Sequence, residues 1–392
     1  MMDYKINSVL YLIILVILSI SPTFAEQNVF SELSTNELTE LSVYYQNNSN
    51  APAFVIYNQS NECNIEYPFY SYTLSLKCRR AILQKNISDL ANVRGADMTI
   101  DSLTKTVQED LNELQDEISI TKQSNKSLAC LEWISLGERD LNESKNYFIA
   151  SQKSYRKDDF NATLIYLIKS DFAIYKTKNL LKLTKNKNNI SSKVDNLRIT
   201  NEGEKVASNW IHDATDKISL LMESDKKEDI LTMAQDVLNE SKRYYSRENY
   251  YLALMGAAEA KALAEFGLER EKYTSSTDAL TQAERQVKTT NKSLNVIFEY
   301  PDIDAPLVEL HFEMAKLRLE EAKNTKSISA IPFADTAIRE ALIAKEQSNA
   351  ISDFKIAIES SKKTASRQTT FGLFPLMGAA IAVYMSRRWQ RD

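Results

Sequence analysis

The stretch that most clearly indicates the fold is residues 103–118, LTKTVQEDLNELQDEI. Acidic and amide residues separate apolar ones that recur at intervals of four, four, three and four positions: Leu103, Val107, Leu111, Leu114 and Ile118. Side chains three and four positions apart share one face of an α-helix. The stretch therefore predicts a long amphipathic helix with one buried face.

This helical character extends over most of the 392-residue chain. Residues 69–300 contain no proline, and their glycines are few and widely spaced: Gly95, Gly137, Gly203, Gly256 and Gly267. Proline interrupts helices and glycine weakens them, so a long segment nearly free of both favours long helices. We expect a mostly α-helical protein.

A degenerate internal repeat indicates how the helices are arranged. Residues 133–141 and 210–218 each begin with Trp, with Gly or Ala four positions later and Leu or Ile eight positions later. Residues 311–319 repeat this spacing without the Trp, and residues 151–164 match residues 241–254 at their aromatic positions. The repeat predicts antiparallel helical hairpins, in a bundle or a short solenoid, within a domain that we place at 81–367.

Residues 26–80 differ in composition and predict a small N-terminal α/β cap. Residues 67–76, YPFYSYTLSL, alternate aromatic or leucine residues with serine and threonine, which is typical of a half-buried strand. Residues 53–57, AFVIY, supply the second strand of a predicted hairpin.

The cysteines give the cap a candidate cross-link. A disulfide between Cys63 and Cys78 would close a loop of about 15 residues and contribute about 3 kcal/mol. Pairing of Cys130 with either Cys63 or Cys78 is the alternative. Because disulfides persist in oxidising compartments, this prediction goes together with an extracellular location.

The two ends of the chain predict a single-pass protein of the cell membrane. A charged start, an apolar run over residues 9–20 and small residues after it predict a secretory signal peptide, residues 1–25, with an uncleaved anchor as the alternative. Residues 369–386 predict a transmembrane helix, and a helix lying on the membrane is the alternative. Arginines in residues 387–392 favour a cytoplasmic tail, which leaves the bulk of the chain extracytoplasmic.

Candidate N-glycosylation sites fit an extracytoplasmic location. Nine Asn-x-Ser/Thr sequons occur. They are Asn47, Asn58, Asn86, Asn125, Asn142, Asn161, Asn189, Asn239 and Asn291.

Composition argues against several classes of function. The formal net charge is −5, whereas nucleic-acid binders carry a basic face. Two histidines, His212 and His311, and three cysteines leave little material for a zinc site or a histidine-based active site. The sequence has no P-loop, dinucleotide-binding fingerprint or nucleophile elbow. We therefore expect no nucleic-acid partner, no cofactor, no metal ion and no catalytic residues.

Two polar motifs are weak candidates for chemistry. Asp302 and Asp304 could begin a cation-binding loop, but the run lacks the glycine and the distant glutamate of an EF-hand. We interpret them as loop or capping residues. His212 precedes Asp213, but adjacent helix positions do not face each other, which predicts a surface histidine.

Aromatic residues are candidates for packing or for binding. Trp133 and Trp210 could stack on a sugar or an aromatic ligand, but their helical spacing to small residues favours packing between helices. Several tyrosines fall at the predicted hairpin tips, where they could pack together or face a partner: Tyr155, Tyr244, Tyr245, Tyr250 and Tyr251.

Aromatic and alanine-rich segments also carry a resemblance to a known family. These segments are residues 147–151, Trp210, residues 250–254 (YYLAL) and residues 257–266 (AAEAKALAEF). Over about residues 129–346, the chain resembles the helical C-terminal region of membrane-anchored archaeal Lon-like proteins, and it shares their plan of signal peptide and C-terminal anchor.

The resemblance implies an archaeal surface protein and, in the family, a Ser–Lys protease domain before the helical region. Here only residues 26–125 precede that region, and they contain no Gly-Pro-Ser-Ala-Gly-like nucleophile segment. No catalytic residue can be transferred. We expect a non-enzymatic, membrane-anchored interaction or scaffold protein that binds another surface or membrane protein. The alternative is an accessory or degenerate, protease-less relative of a Lon-like surface protease.

Overall fold

The computed structural model describes residues 29–46, 48, 53–123, 127–187, 196–224, 228–269, 275–298, 300, 302–325 and 328–389. Side chains are described as far as residue 361, except at 29, 185–187, 196–198, 228, 298 and 328. These residues form twelve α-helices and no strand, which confirms the expectation of a mostly α-helical protein. The helices are α1 Val29–Gln46, α2 Phe54–Cys63, α3 Pro68–Arg94, α4 Ala96–Gln123, α5 Leu128–Tyr155, α6 Phe160–Lys187, α7 Asn196–Glu223, α8 Glu228–Ser246, α9 Tyr250–Glu269, α10 Ser276–Phe298, α11 Pro306–Asn324 and α12 Ile331–Trp389.

The contacts divide the chain into two compact units. The first contains the described residues of 1–107 and 146–172, and the second those of 108–145 and 173–392. The first unit has a core of Leu41, Tyr45, Cys78 and Ile82. In that core the ring of Tyr45 stacks on Tyr57 with centroids 4.8 Å apart.

The N-terminal region is helical, so the prediction of an α/β cap with a hairpin is wrong for its described residues. Pro68 takes the first position of α3, where the helix needs no N–H donor. The serines that the strand prediction assigned to an exposed face are buried. The hydroxyl of Ser71 shares a hydrogen bond with Ser34 of α1 (2.6 Å) and donates to the carbonyl of Ser60 in α2 (2.8 Å). Buried serines thus join three helices here. Their alternation with aromatic and leucine residues resembles the pattern of a strand, although the segment is a helix.

The predicted disulfide between Cys63 and Cys78 is not formed in the structure, where none of the three cysteines takes part in a disulfide. Helices α2 and α3 run antiparallel, since Ser60 bonds to Ser71 while the Cys78 thiol donates to the carbonyl of Ala53 (3.5 Å). Cys63 therefore lies opposite the start of α3, about ten residues and about 15 Å along that helix from Cys78. That separation is too long for a disulfide.

The second unit is built around α9, which is buried on almost every side. It packs against α7, α8 and α12. Small residues allow these close approaches: a Cβ at Gly267 would lie 2.9 Å from a methyl carbon of Leu221, and one at Gly256 would lie 3.1 Å from Cβ of Ser241. The apolar, alanine-rich sequence of α9 is thus explained by its central position.

Two helix connections have the same hydrogen-bonding pattern. In the α8–α9 tip, the amide of Asn249 donates to the carbonyl of Tyr244, and Glu248 has a positive φ of 59°. In the α5–α6 tip, Asp159 donates to the carbonyl of Ser154. Its neighbour Asp158 has a φ of 57°. Asn249 and Asp159 then each cap the following helix through a side-chain oxygen.

The predicted ends of the chain fall outside this description. Residues 1–25 lie outside the described residues. Residues 369–386 belong to α12, but their side chains lie outside the described part, as do those of residues 387–389; residues 390–392 lie outside it altogether. No helix among the described residues is long and apolar enough to cross a membrane.

Candidate functional site

The loop that joins α10 to α11 is fixed by α5 of the same unit. The indole N–H of Trp133 donates to Asp304 over 2.6 Å. The Glu132 carboxylate accepts the backbone N–H groups of Asp304 (2.9 Å) and Ala305 (3.0 Å). The ammonium of Lys355 lies 2.9 Å from the Asp302 carboxylate. The two aspartates that resembled the start of a cation loop therefore have protein partners.

Trp210 also bonds to an aspartate from a distant part of the sequence. Its indole N–H lies 3.1 Å from the Asp353 carboxylate, and the Lys261 ammonium lies 4.4 Å from the centre of its ring. Lys261 also pairs with Glu346 at 3.2 Å. Both tryptophans are buried among helices. The structure places them in the core of the second unit.

The strongest candidate site is a cavity of about 230 Å³ in the second unit, which we call the polar cleft. Helices α5, α8, α9, α11 and α12 surround it. Its apolar walls are valine, leucine and methionine side chains. Its polar side chains include Arg139, Glu240, Tyr244, Glu259, His311 and Gln347.

His311 forms an ion pair at the edge of this cleft. Its Nδ1 atom lies 2.8 Å from a Glu340 carboxylate oxygen, and both side chains are largely buried. Burial lowers the pKa of His311, but the hydrogen bond to Glu340 and the charges of Glu259 and Glu340 outweigh it, so the net pKa is raised. Burial likewise raises the pKa of Glu340. The hydrogen bonds and positive charges of His311 and Arg339 outweigh this effect, so the net pKa of Glu340 is lowered. The pair is therefore stabilised in its charged form.

Glu259 contributes the second charged group of the cleft. Burial raises its pKa, and the nearby charge of Glu340 adds to this, while His311 opposes it. The described residues offer its carboxylate no hydrogen-bond donor, although the carboxylate lines the cavity. The side chain is half-buried, so its carboxylate is an acceptor that is open to the cavity.

Gln347 presents a second acceptor to the cleft. The side chain is 1% exposed, and its N–H donates to the Met255 carbonyl at 3.4 Å. Its Oε1 atom is buried and has no hydrogen-bond partner in the described part of the chain. Nearly all buried polar atoms in proteins have a partner, so this oxygen indicates a place for a donor from outside the protein.

Two hydroxyl groups of the cleft donate hydrogen bonds to protein acceptors. Ser241 carries the serine hydroxyl of the cleft and is the natural candidate for a nucleophile. This hydroxyl donates to the Ala253 carbonyl over 2.6 Å. Tyr244 donates to Glu240 over 2.8 Å. Glu340 holds the Nδ1 atom of His311. The hydrogen bonds of Ser241 and Tyr244 thus go to Ala253 and Glu240 rather than to this histidine.

The remaining sequence candidates are not among the residues that line the cleft. His212 is exposed and lies 3.5 Å from Asp216. Tyr155 packs on Phe160, with ring centroids 6.0 Å apart. Tyr245 packs on Tyr250, with centroids 5.4 Å apart. The described sequon residues sit on helices, where Asn142 is half-buried and the others are exposed: Asn58, Asn86, Asn161, Asn239 and Asn291. Asn47, Asn125 and Asn189 lie outside the described residues.

Sequence reasoning named Tyr244 as a candidate to face a partner, but it missed Glu259 and Gln347 of the cleft. His311 was noted as one of two histidines and as the position that replaces a tryptophan in the repeat, and Gln347 has no local signature. Glu259 did leave a signal, because it is a charged residue inside the alanine-rich segment 257–266. A carboxylate in a helix that is apolar on every side points to a buried partner or a cavity.

Comparisons with known proteins found no match to this chain. No protein-family model, curated protein or solved structure matches the chain. The resemblance to the helical region of archaeal Lon-like surface proteins therefore stays a prediction from the sequence.

Proposed function

We propose that this chain is a non-enzymatic, membrane-anchored cell-surface protein that recognises a ligand or a partner through the polar cleft. The observation that carries this proposal is the buried Oε1 atom of Gln347, which faces a cavity without a protein donor. The hydroxyl of Ser241 beside it is committed to a backbone carbonyl. A cavity with an unused acceptor and no activated nucleophile is suited to binding.

The proposed architecture is a set of antiparallel helical hairpins held outside the cell by a helix at residues 369–386, after removal of residues 1–25. The matching α5–α6 and α8–α9 tips support a hairpin repeat. The five exposed sequon residues support a solvated, extracytoplasmic surface on which glycans fit.

Site-directed photo-crosslinking in native membranes tests this function. The full-length chain would carry a photo-reactive phenylalanine at Tyr244, on the cleft wall, or at Tyr155, an exposed tip tyrosine that does not line the cleft. We expect a discrete crosslinked product from position 244 and none from position 155. Equal labelling at both positions, or none at 244, would contradict recognition through the cleft.

The identity of that product addresses the alternative function. The segments that carry the resemblance to Lon-like proteins include 250–254 and 257–266, which form the buried α9. A protease-less relative would retain this helical core and act beside an active enzyme. A Ser–Lys protease crosslinked at position 244 would support the accessory role, whereas another surface component would support the scaffold role.

A further inference from the structure

We propose that the polar cleft binds an alkylammonium group, with Glu259 and Gln347 accepting its N–H donors and the apolar walls contacting its carbon chain. This inference rests on the proposed binding function and names the chemistry of its ligand. The ammonium could belong to a free amine or to a lysine side chain, and the test below separates these two sources.

The first step is the shortage of donors in the cleft. Gln347 Oε1 is buried without a partner in the described part of the chain, and the Glu259 carboxylate lines the same cavity. Both groups are acceptors, whereas an ionised carboxylate or a phosphate would bring only further acceptors. An ammonium carries three N–H donors on one atom and can serve both oxygens at once.

The second step is the charge that faces the cleft from each helix. Helix α8 contributes Glu240, α9 contributes Glu259 and α11 contributes His311, while Glu340 of α12 pairs with His311. Arg339, also on α12, is bound to Glu340 at 3.0 Å. His311 and Arg339 thus both contact Glu340. Among the described residues that line the cleft, Arg139 of α5 is the other positive group beside Glu240 and Glu259, and it also lies 3.5 Å from Asp140. With Arg139 shared with Asp140, the cleft carboxylates favour a cation.

The third step is the shape and lining of the cavity. About 230 Å³ exceeds the space of a bare ammonium ion and leaves room for a short alkyl chain. Leucine, valine and methionine side chains line the walls. A metal ion would leave these side chains in contact with water, whereas a hydrocarbon chain would cover them. No set of three histidine, cysteine or acidic residues in the described part of the chain is arranged to hold a metal ion. The walls therefore suit an organic cation.

Calorimetric titration of the full-length protein in nanodiscs with n-hexylammonium chloride tests this inference, with empty nanodiscs as the blank. We expect saturable one-to-one binding. The variants E259Q and Q347L should each weaken it about tenfold or more, because each removes one acceptor from a charged donor. E265Q makes the same substitution on the same helix, where Glu265 pairs with Lys217 instead, and should leave the affinity unchanged.

Other probes test the charge and the source of the ligand. Hexanol and hexanoate keep the chain but lose or reverse the charge, and both should bind at least about tenfold more weakly than hexylammonium. A blocked Gly-Lys-Gly tripeptide that binds as tightly as hexylammonium assigns the ammonium to a protein partner; much weaker binding assigns it to a free amine. Failure of both amines to bind, or equal affinity in E259Q and E265Q with helical circular dichroism retained, overturns the inference.

The two proposals fail in different ways. If position 244 still gives its discrete crosslink while no amine binds, the binding function stands and the ammonium assignment is wrong. If hexylammonium binds and suppresses that crosslink, both are supported. Q347L provides a second variant should E259Q fold poorly.

Discussion

Trp133 in α5 donates its indole N–H to Asp304, which lies 171 positions later in the sequence, over 2.6 Å. The indole is fully buried, and the same loop is held by Glu132 through two backbone N–H groups. One turn of α5 therefore fixes the connection between α10 and α11. Long-range hydrogen bonds of this kind cannot be read from helical periodicity, because they depend on which distant loop reaches the helix.

Replacing this indole should destabilise the second unit. W133F removes a hydrogen bond to a carboxylate and leaves a small cavity, so we expect a loss of about 2–4 kcal/mol in the free energy of unfolding. W210F is the matched control, since Trp210 makes a longer, partly exposed bond to Asp353, and its loss should be about 1 kcal/mol. Urea denaturation followed by circular dichroism measures both. Equal losses of unfolding free energy in the two variants would show that the hydrogen bond to Asp304 stabilises the protein no more than the one to Asp353.

The three cysteines should be present as thiols, without a disulfide, in the intact protein. Cys63 is partly exposed, whereas Cys78 is buried and burial raises its pKa to about 11. We expect alkylation of native protein to modify Cys63 first, because the reactive thiolate of Cys78 is scarce at neutral pH. Non-reducing peptide mapping checks this result. Recovery of a peptide that links Cys63 to Cys78 would contradict the antiparallel packing of α2 on α3.

The long helices were predictable because their signals are local. The period of Leu103, Val107 and Leu111 and the lack of proline over 69–300 depend only on neighbouring residues. The cap was mispredicted because Ser71 is buried against Ser34 and Ser60, and alternation cannot distinguish a buried serine from an exposed one. The cleft was not predictable because Glu259, His311 and Gln347 belong to three helices and meet only after packing.

Two glycines of the second unit should respond oppositely to the same substitution. In G267A the new Cβ would lie 2.9 Å from Leu221 and 3.2 Å from Ile230, so we expect a loss of about 1–3 kcal/mol in stability. In G137A the nearest atom is 3.7 Å away, which is ordinary contact, and the gain in helix propensity should stabilise by about 0.5–1 kcal/mol. Thermal unfolding of the two variants measures the difference. Destabilisation by G137A as large as that by G267A would contradict the packing described here.

The ion pair between His311 and Glu340 should give the protein a bounded range of pH stability. The pKa of His311 is raised above its ordinary 6.5, so its contribution is complete below that value and is lost as pH rises through the folded pKa. The pKa of Glu340 is lowered from 4.5, so its contribution is complete above 4.5 and is lost as pH falls through the folded pKa. Both contributions are therefore present between about pH 4.5 and 6.5.

The variant H311Q should lack the histidine whose deprotonation sets the upper pH limit of that range. The stability difference between the parent and H311Q is expected to shrink as pH rises above about 6.5, because the parent loses its charged histidine while Glu259, Arg339 and Glu340 remain around the site. H212Q removes the other histidine, which is exposed and lies 3.5 Å from Asp216, and serves as the comparison. Urea denaturation at a series of pH values gives the three curves. A constant offset between the parent and H311Q would mean that the His311–Glu340 pair acts through packing alone, with no stabilisation from its charge.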